Sequence, residues 1–435
     1  MQSSVKRAWP IMAALVVCCR AGTDGAMGLF YEQQLTNGSL ENWPREHTIG
    51  IDAMGKLVPA VLRVGHLVHR GKEATAQYAE IHRWVKWLLS FGVSLIFVFD
   101  GLARYPPKAA RAHKERAERE KQDRADAVRL DADGDEEKAD KSWIRILDRA
   151  TLLDLVQFTQ QLLDELSVPW VVAPYEADHQ LAFLAERGQI SAVHAPHNDT
   201  DLPVYGIPNV LFRLRANGEF SSLRVRESLL GKVLTRKTST AANAADAPVD
   251  LSQVHLMDKF ACSVMLGGCD YFKTKGVAAV TALQHFAECN FDLERYAIEK
   301  LHCDIDDPND MVAKQLLAAR ATFAHPLAFD LEWGADGDGT LVAASLACGM
   351  ADGTPPPEGM AALLETLDIP NSERLLLKDT SKCLAIAKGT LNLSNGKTIN
   401  PHDHKALIRT SQALISTRNT LIHIPCSRNT LIHIP

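Results

Sequence analysis

Acidic residues recur in this sequence at the ends of apolar runs. Asp52 closes Thr48-Ile-Gly-Ile-Asp52, and Asp100 closes Ser94-Leu-Ile-Phe-Val-Phe-Asp100. Glu176 and Asp178 sit in Pro174-Tyr-Glu-Ala-Asp178, Asp199 and Asp201 in Asn198-Asp-Thr-Asp201, and Asp270 follows Leu266-Gly-Gly-Cys269. Taken singly, a carboxylate at a strand end commonly caps the next helix or complements its dipole. Seven such groups gathered in one cleft would repel one another unless cations neutralised them. All-oxygen ligation suits magnesium or manganese rather than zinc. The chemistry this set could perform is two-metal phosphodiester hydrolysis, with ions roughly 4 Å apart that activate water and stabilise the leaving oxygen.

Elements able to position these acids can be read from the periodicity. Short apolar runs at 48–52, 94–100, 170–173 and 191–195 predict buried strands. Helical patterns at 76–91 (Ile81, Trp84, Val85, Leu88 and Leu89 on one face), at 152–166 and from about Tyr175 alternate with them. Repeated βα units imply an α/β fold with a mainly parallel sheet and helices on both faces, whose sites form at the carboxyl ends of the strands. Between Arg104 and Arg124, eight basic residues face four acids, a locally basic helical insertion. It runs into Asp131–Asp140, which has Glu136 where a calcium loop needs glycine and Ser142 where it needs glutamate, and so reads as a solvated loop. Further loops are expected at 237–249 and 334–359, with a helical stretch from Met360 to Arg418.

Composition narrows the class without deciding it. The chain has 435 residues, 23% charged and 46% hydrophobic, with nine cysteines and a formal net charge of −6. That is ordinary globular usage and excludes a disordered, collagen-like or multi-span membrane chain. The cysteines form no CxxC pair, so neither a disulfide framework nor a zinc site is indicated, and a reducing compartment fits best. An acidic net charge argues against nucleic acid as partner. Yet the total averages an acidic cleft with a basic insertion, and without the seven acids above the balance is 47 basic to 46 acidic side chains.

The same blocks, in this order, resemble the metal-binding blocks of the flap endonuclease/XPG structure-specific 5′ nuclease family: Ile51-Asp52-Ala53, Val98-Phe-Asp-Gly101, Ala173-Pro-Tyr-Glu-Ala-Asp178, Asn198-Asp-Thr-Asp201 and Gly268-Cys-Asp-Tyr271. The wording of Pro174–Ala182, of Gly268–Tyr271 and of Ala321-Thr-Phe-Ala-His-Pro326 is most similar to the exonuclease-one branch. The resemblance covers about residues 27–333. It implies a PIN-like (Rossmann-like) fold with a helical arch. It further implies a first metal site at Asp52, Asp100, Glu176 and Asp178, and a second at Asp199, Asp201 and Asp270. Each site would take Mg2+, with Mn2+ able to substitute. A lysine and an arginine at the base of the arch would contact the scissile phosphate. Lys108 is the candidate lysine, although its spacing from Asp100 is one residue longer than the family's, and Arg116 the candidate arginine, with Arg111 and Lys114 as rivals. The implied partner is DNA carrying a 5′ flap, a nick or a recessed 5′ end. The implied activity is flap endonuclease or 5′-3′ exodeoxyribonuclease in repair or replication.

Two departures count against parts of that picture. Where the family carries a helix-hairpin-helix with a potassium ion gripping duplex phosphates, the segment Lys273-Thr-Lys-Gly-Val-Ala-Ala-Val280 is one residue short and has Ala278 for its second glycine, a degenerate hairpin. The glycine-leucine pair that follows the family's opening Met-Gly is also missing after Met27-Gly28. A catalytically silent nucleic-acid-binding or RNA-regulatory relative is therefore the alternative reading. The resulting division is 1–26, a targeting-like or over-extended leader; 27–103 and 151–235, the nuclease regions; 104–150, the arch and acidic loop; 250–333, the hairpin-like region; and 334–435, a loosely defined C-terminal region. Lys6 and Arg7 before the apolar run Ile11–Cys19 admit a secretory signal or a mitochondrial presequence, but a start at Met27 is favoured. The repeated octamer Arg-Asn-Thr-Leu-Ile-His-Ile-Pro at 418–425 and 428–435 reads as a duplicated or misread gene end. No membrane-length apolar run and no sliding-clamp motif occurs. A nuclear monomer is expected, with the mitochondrion as the alternative compartment. His113, His179 and His197 are expected at the surface or behind the site.

Overall fold

The computed structural model describes residues 35–194, 200–224, 256–274, 277, 279–334, 341–348 and 359–412, apart from 73, 308, 401, 403 and 406. The leader, the 237–249 loop, the terminal octamers and Asp199 lie outside these residues, as does Ala278 of the hairpin-like segment.

A seven-stranded sheet organises the chain, in the order β1-β7-β6-β5-β2-β3-β4. The strands are β1 (Thr36–Ser39), β2 (Thr48–Asp52), β3 (Ser94–Phe99), β4 (Trp170–Val172), β5 (Ala192–His194), β6 (Asn209–Phe212) and β7 (Glu219–Arg224). Strands β6, β5, β2, β3 and β4 are mutually parallel, while β7 and β1 close one edge antiparallel. The expected α/β architecture is therefore present, with an antiparallel edge added. Strand β1 falls on Thr36-Asn-Gly-Ser39, too short and polar to read as a strand, and it forms because β7 offers it a partner.

Alternation along each strand splits the core into two. On β3, Leu95, Phe97 and Phe99 pack with Leu57, Ala60 and Val61 of α1 (Met54–His69), Ile81, Val85 and Leu88 of α2 (Ala76–Ser90), and Phe158 and Leu162 of a later helix, Arg149–Glu165. Ile96 and Val98 join Leu181 and Leu184 on the other face, with Met265, Phe286 and Leu316 from later helices. Helices thus cover both faces, so the strands read as near-continuous apolar runs rather than alternating ones. Gly50 in β2 is required by this layering, since a Cβ there would lie 2.6 Å from Leu181 and 2.7 Å from Ile190.

After β3 the basic insertion is helical: a short turn at Pro106–Lys108, a π-turn at Ala109–His113, then α3 (Lys114–Ala132). The expectation of a solvated loop at 131–140 is corrected, because Glu136–Trp143 forms α4, capped by Asp135. Arg70 pins this region to the end of α1, lying 2.7 Å from Asp131, 2.9 Å from Asp140 and 3.7 Å from Glu136. The Trp143 indole donates to Asp131 at 2.8 Å and stacks on His69. Local composition there is that of a loop; the anchor is a residue more than 60 positions earlier.

The remaining elements are α5 (Arg149–Glu165), α6 (Ala177–Glu186), α7 (Leu256–Gly267), α8 (Ala279–Glu288), α9 (Leu293–Tyr296), α10 (Met311–Ala324), a hairpin β8 (Leu327–Trp333) with β9 (Leu341–Cys348), and α11 (Gly359–Thr366), α12 (Asn371–Leu377) and α13 (Thr380–Ala387). The expected loop at 334–359 is corrected by β9, which pairs antiparallel with β8 from Leu341 to Cys348 with one register shift at Glu332/Trp333. The region expected to be loosely defined contributes Leu363, Leu367, Ile369, Leu377 and Ile386 to the same core as α6. Past α13 the described residues leave the expected helical pattern over 388–404 and are helical again at 405 and 407–412. The chain crosses to the other face, where His404 donates from its backbone to Gln161 at 2.8 Å and Ser411 meets His82 at 2.6 Å. Among the described residues no helix is long and apolar enough to cross a membrane, and no cysteine pairs with another in a disulfide.

Candidate active site

The parallel register brings the carboxyl ends of β2 and β3 side by side, with Asp52 opposite Val98. Asp52, buried at 8% exposure, accepts from the backbone N–H of Met54 at 2.9 Å. Asp100, one residue past β3, accepts from the N–H of Ala177 at 2.8 Å. An acid from one strand thereby satisfies the first turn of α6, and the helix dipole favours negative charge there. Glu176 precedes the helix in extended conformation and Asp178 lies in its first turn. Asp201 begins the short 3-10 helix Leu202–Tyr205 and is buried at 4% exposure. Asp270 follows α7 in a loop whose carbonyls at Cys269 and Phe272 both accept from Arg111.

Close approach of two chain segments fixes part of this geometry. Gly101 donates its N–H to the Tyr175 carbonyl at 2.6 Å. A Cβ at Gly101 would lie 2.4 Å from the Pro174 carbonyl oxygen and 2.7 Å from that of Ala173. The glycine after Asp100 is there because no other residue lets these backbones meet.

The base of the arch supplies the counter-charge. Lys108 Nζ lies 2.5 Å from Glu176 Oε2 and 3.5 Å from Asp270 Oδ2, and Arg116 Nη2 lies 2.6 Å from the same Asp270 oxygen. Burial pulls the Lys108 ammonium towards neutrality, but the Glu176 and Asp270 charges outweigh it and hold the group well above its ordinary range. Burial raises Glu176 and Asp270 as well, and the lysine, joined at Asp270 by Arg116, overrides it and leaves both carboxyls low. Asp100 behaves oppositely: burial, and then the Glu176 charge, push it well above the usual carboxylate range. The cluster thus holds more buried negative charge than its two cations offset.

Of the nine residues singled out from sequence, Glu176, Asp270, Lys108 and Arg116 are joined by direct ion pairs, and Asp100 is coupled to them electrostatically. Asp178 and Asp201 act together on a phenol beneath: after burial, Asp178 and then Asp201 hold Tyr205 well above its ordinary range. Asp52 lies at the neighbouring strand end, opposite Val98. Arg111, weighed as a phosphate contact, instead grips the Asp270 loop, and Lys114 is exposed. Sequence reasoning missed the polar floor under the acids. Tyr205 Oη lies 2.8 Å from Tyr271 Oη and 3.2 Å from His179 Nε2, and Tyr105 Oη lies 2.9 Å from Thr322 Oγ1. His179, expected at the surface or behind the site, is completely buried, and burial pushes it down to about 4. Tyr175 and Tyr271, inside the quoted blocks, were the available signal.

The donors are all carboxylate oxygens, which suits a hard divalent cation. Among the described residues, however, no three His, Cys, Asp or Glu side chains are grouped closely enough to hold a metal ion. Lys108 stands between Glu176 and Asp270 instead. In donor chemistry the residues present fit such a cation.

Residues 167–270 match the XPG I-region family, the span that runs from β4 through Glu176, Asp178 and Asp201 to Asp270. The chain is similar to the XPG and flap-endonuclease nucleases. Exonuclease 1 of Drosophila melanogaster is 27% identical over 286 residues, covering 65% of this chain and 36% of that protein. Exodeoxyribonuclease 1 of Schizosaccharomyces pombe is 28% identical over 288 residues, covering 65% and 45%. A flap endonuclease 1 of Hyperthermus butylicus is 31% identical over 131 residues, 30% of this chain and 36% of that one. The chain therefore spans less than half the length of these curated relatives. Among solved structures, flap endonuclease-1 from Methanococcus jannaschii superposes with a TM-score of 0.41 at 19% identity, covering 68% of this chain and 84% of that one.

Proposed function

We propose that this chain is a divalent-cation-dependent, structure-specific 5′ nuclease that hydrolyses DNA phosphodiesters at flaps or recessed 5′ ends. The observation that carries the reading is the meeting of Asp100, Glu176 and Asp270, from three separate elements, with Lys108 and Arg116 from the arch base. The DNA substrate rests on the relatives, one of which is named an exodeoxyribonuclease. A DNA-containing compartment follows, the nucleus first.

Asp52, Asp100, Glu176 and Asp178 would hold one ion, with Asp199, Asp201 and Asp270 holding another. Bound there, magnesium would supply a nucleophilic water at neutral pH and offset charge on the leaving oxygen. The protein's own part is positioning. Asp100 is fixed by the Ala177 amide, and the Asp270 loop is fixed by Arg111. Lys108 and Arg116, near each other at the arch base, would neutralise charge growing on a phosphate that displaces them from the acids. A silent relative that only binds nucleic acid is the second reading, favoured by Ala278 in the hairpin-like segment.

The test is cleavage of a 5′-labelled flap duplex in magnesium by the wild type and by Asp178→Asn. The wild type cuts, and the variant is slower by more than about 100-fold, beyond what losing an outer contact costs. Equal rates overturn the site, and an inert wild type that still binds the flap establishes the silent reading.

A further inference from the structure

Glu373 lies outside the 27–333 span that resembles the nuclease family, yet it reaches the candidate site. Its Oε2 accepts from the Tyr175 hydroxyl at 2.7 Å, and both residues are buried, at 6% and 1% exposure. Tyr175 immediately precedes Glu176. Its carbonyl takes the Gly101 amide at 2.6 Å, and Asp100 in turn takes the Ala177 amide at 2.8 Å. These contacts close a loop of interactions from Glu373 through Tyr175 to Asp100 and Glu176.

The far end of the loop is itself anchored. Arg374, next in sequence, donates to the carbonyls of Ile369 at 2.6 Å and Leu364 at 3.0 Å, which fixes the α11–α12 corner. Leu363, Leu364, Ile369 and Leu377 bury that corner against the core shared with α6. Burying a carboxylate is costly, and an apolar pair of similar volume would pack there without that cost. What the Tyr175–Glu373 pair adds over an apolar pair is direction: it fixes where the tyrosine ring sits, and with it the backbone that aims Glu176.

We propose that Glu373 is a positioning residue for the carboxylate site, so that the C-terminal helices set the orientation of Glu176 and Asp100. The proposal rests on the nuclease reading for its kinetic consequence and on the carboxylates alone for its binding consequence. Tyr105, with its ring centroid 5.4 Å from that of Tyr175, backs the ring from the other side and keeps it in place.

The experiment compares the full chain with Glu373→Ala, Glu373→Gln and Tyr175→Phe. Flap cleavage is measured well below each protein's melting temperature, and Mn2+ binding is measured by calorimetry. Loss of an outer contact costs about 10- to 100-fold in metal affinity or rate. Glu373→Ala and Tyr175→Phe are expected in that range for kcat and for Mn2+ affinity, with KM for the flap within about twofold. Glu373→Gln, which keeps an acceptor oxygen, returns most of both. Variants that melt earlier but keep wild-type kcat and Mn2+ affinity when folded overturn the proposal, as does a glutamine no better than alanine. If Glu373→Ala does not fold, Tyr175→Phe, which removes one oxygen, decides alone. If the wild type cuts nothing, the nuclease reading fails by itself, and the Mn2+ affinities still decide whether Glu373 positions the site.

Discussion

The arch region carries a charge cluster at each end, and the two are built differently. At the far end Arg70 meets Asp131, Glu136 and Asp140. These three acids come from one short stretch of chain and their side chains are 32% to 80% exposed. At the near end Lys108 and Arg116 meet Glu176 and Asp270, acids contributed by separate elements and only 10% and 17% exposed. Water screens the first cluster, so its excess negative charge is tolerable and the arginine serves as a pin. The second is dry enough that each charge alters its neighbours' protonation, and it sits where strand and helix ends converge. What marks the near cluster as the candidate site is that the fold forces its acids together in a place water cannot relieve.

Substitution at the near cluster is expected to have the largest effect. Lys108→Met leaves Glu176 and Asp270 buried with less counter-charge, which costs about 3–5 kcal/mol when one member of a buried pair is removed. The melting temperature should drop accordingly, and millimolar Mn2+ should recover part of it, because a ligand of the folded state stabilises that state. An unchanged melting temperature would make the near cluster as dispensable as a surface pair.

Arg70→Met at the far cluster should cost about 1 kcal/mol, as expected for partly exposed ion pairs. Its flap-cleavage rate should stay within about threefold of wild type, under ~0.7 kcal/mol of transition-state stabilisation. A much larger loss of rate would mean that pinning the arch tail is part of the chemistry and would erase the distinction.

The smallest effect is one of pH and belongs to neither cluster. His82 is buried against Ser411, and burial, then Lys86, push it down to about 4 from an ordinary 6.5. The unfolded chain therefore binds the proton more readily, so stability is intact above about pH 6.5 and falls as pH drops towards the folded value. Between pH 7 and 6 the loss is ~0.7 kcal/mol for this imidazole. Melting curves at both pH values should show a smaller drop for His82→Gln than for wild type; equal drops would assign the acid sensitivity elsewhere.

Much of the architecture was legible because it is written in periodicity. The runs ending at Asp52 and Asp100 are apolar on both sides of the strand, and that pattern reports two covered faces before any contact is known. The acids themselves were legible because their blocks have a recognisable wording. Where the reading failed, the cause was long-range pairing: Thr36–Ser39 is a strand because β7 lies beside it, and Leu341–Cys348 because β8 does. The Asp131–Asp140 stretch is loop-like in composition, and a distant arginine orders its second half as a helix.

The sequence by itself determined the residue types of the site, their order along the chain and the α/β class, since these depend on local chemistry and spacing. Only the tertiary structure decided that Lys108 lies between Glu176 and Asp270, that Arg111 holds a loop rather than facing outward, and that Glu373 stands behind Tyr175. Such pairings join residues up to 198 positions apart. Their energies depend on burial and on distances of a few ångströms, and no local pattern encodes either.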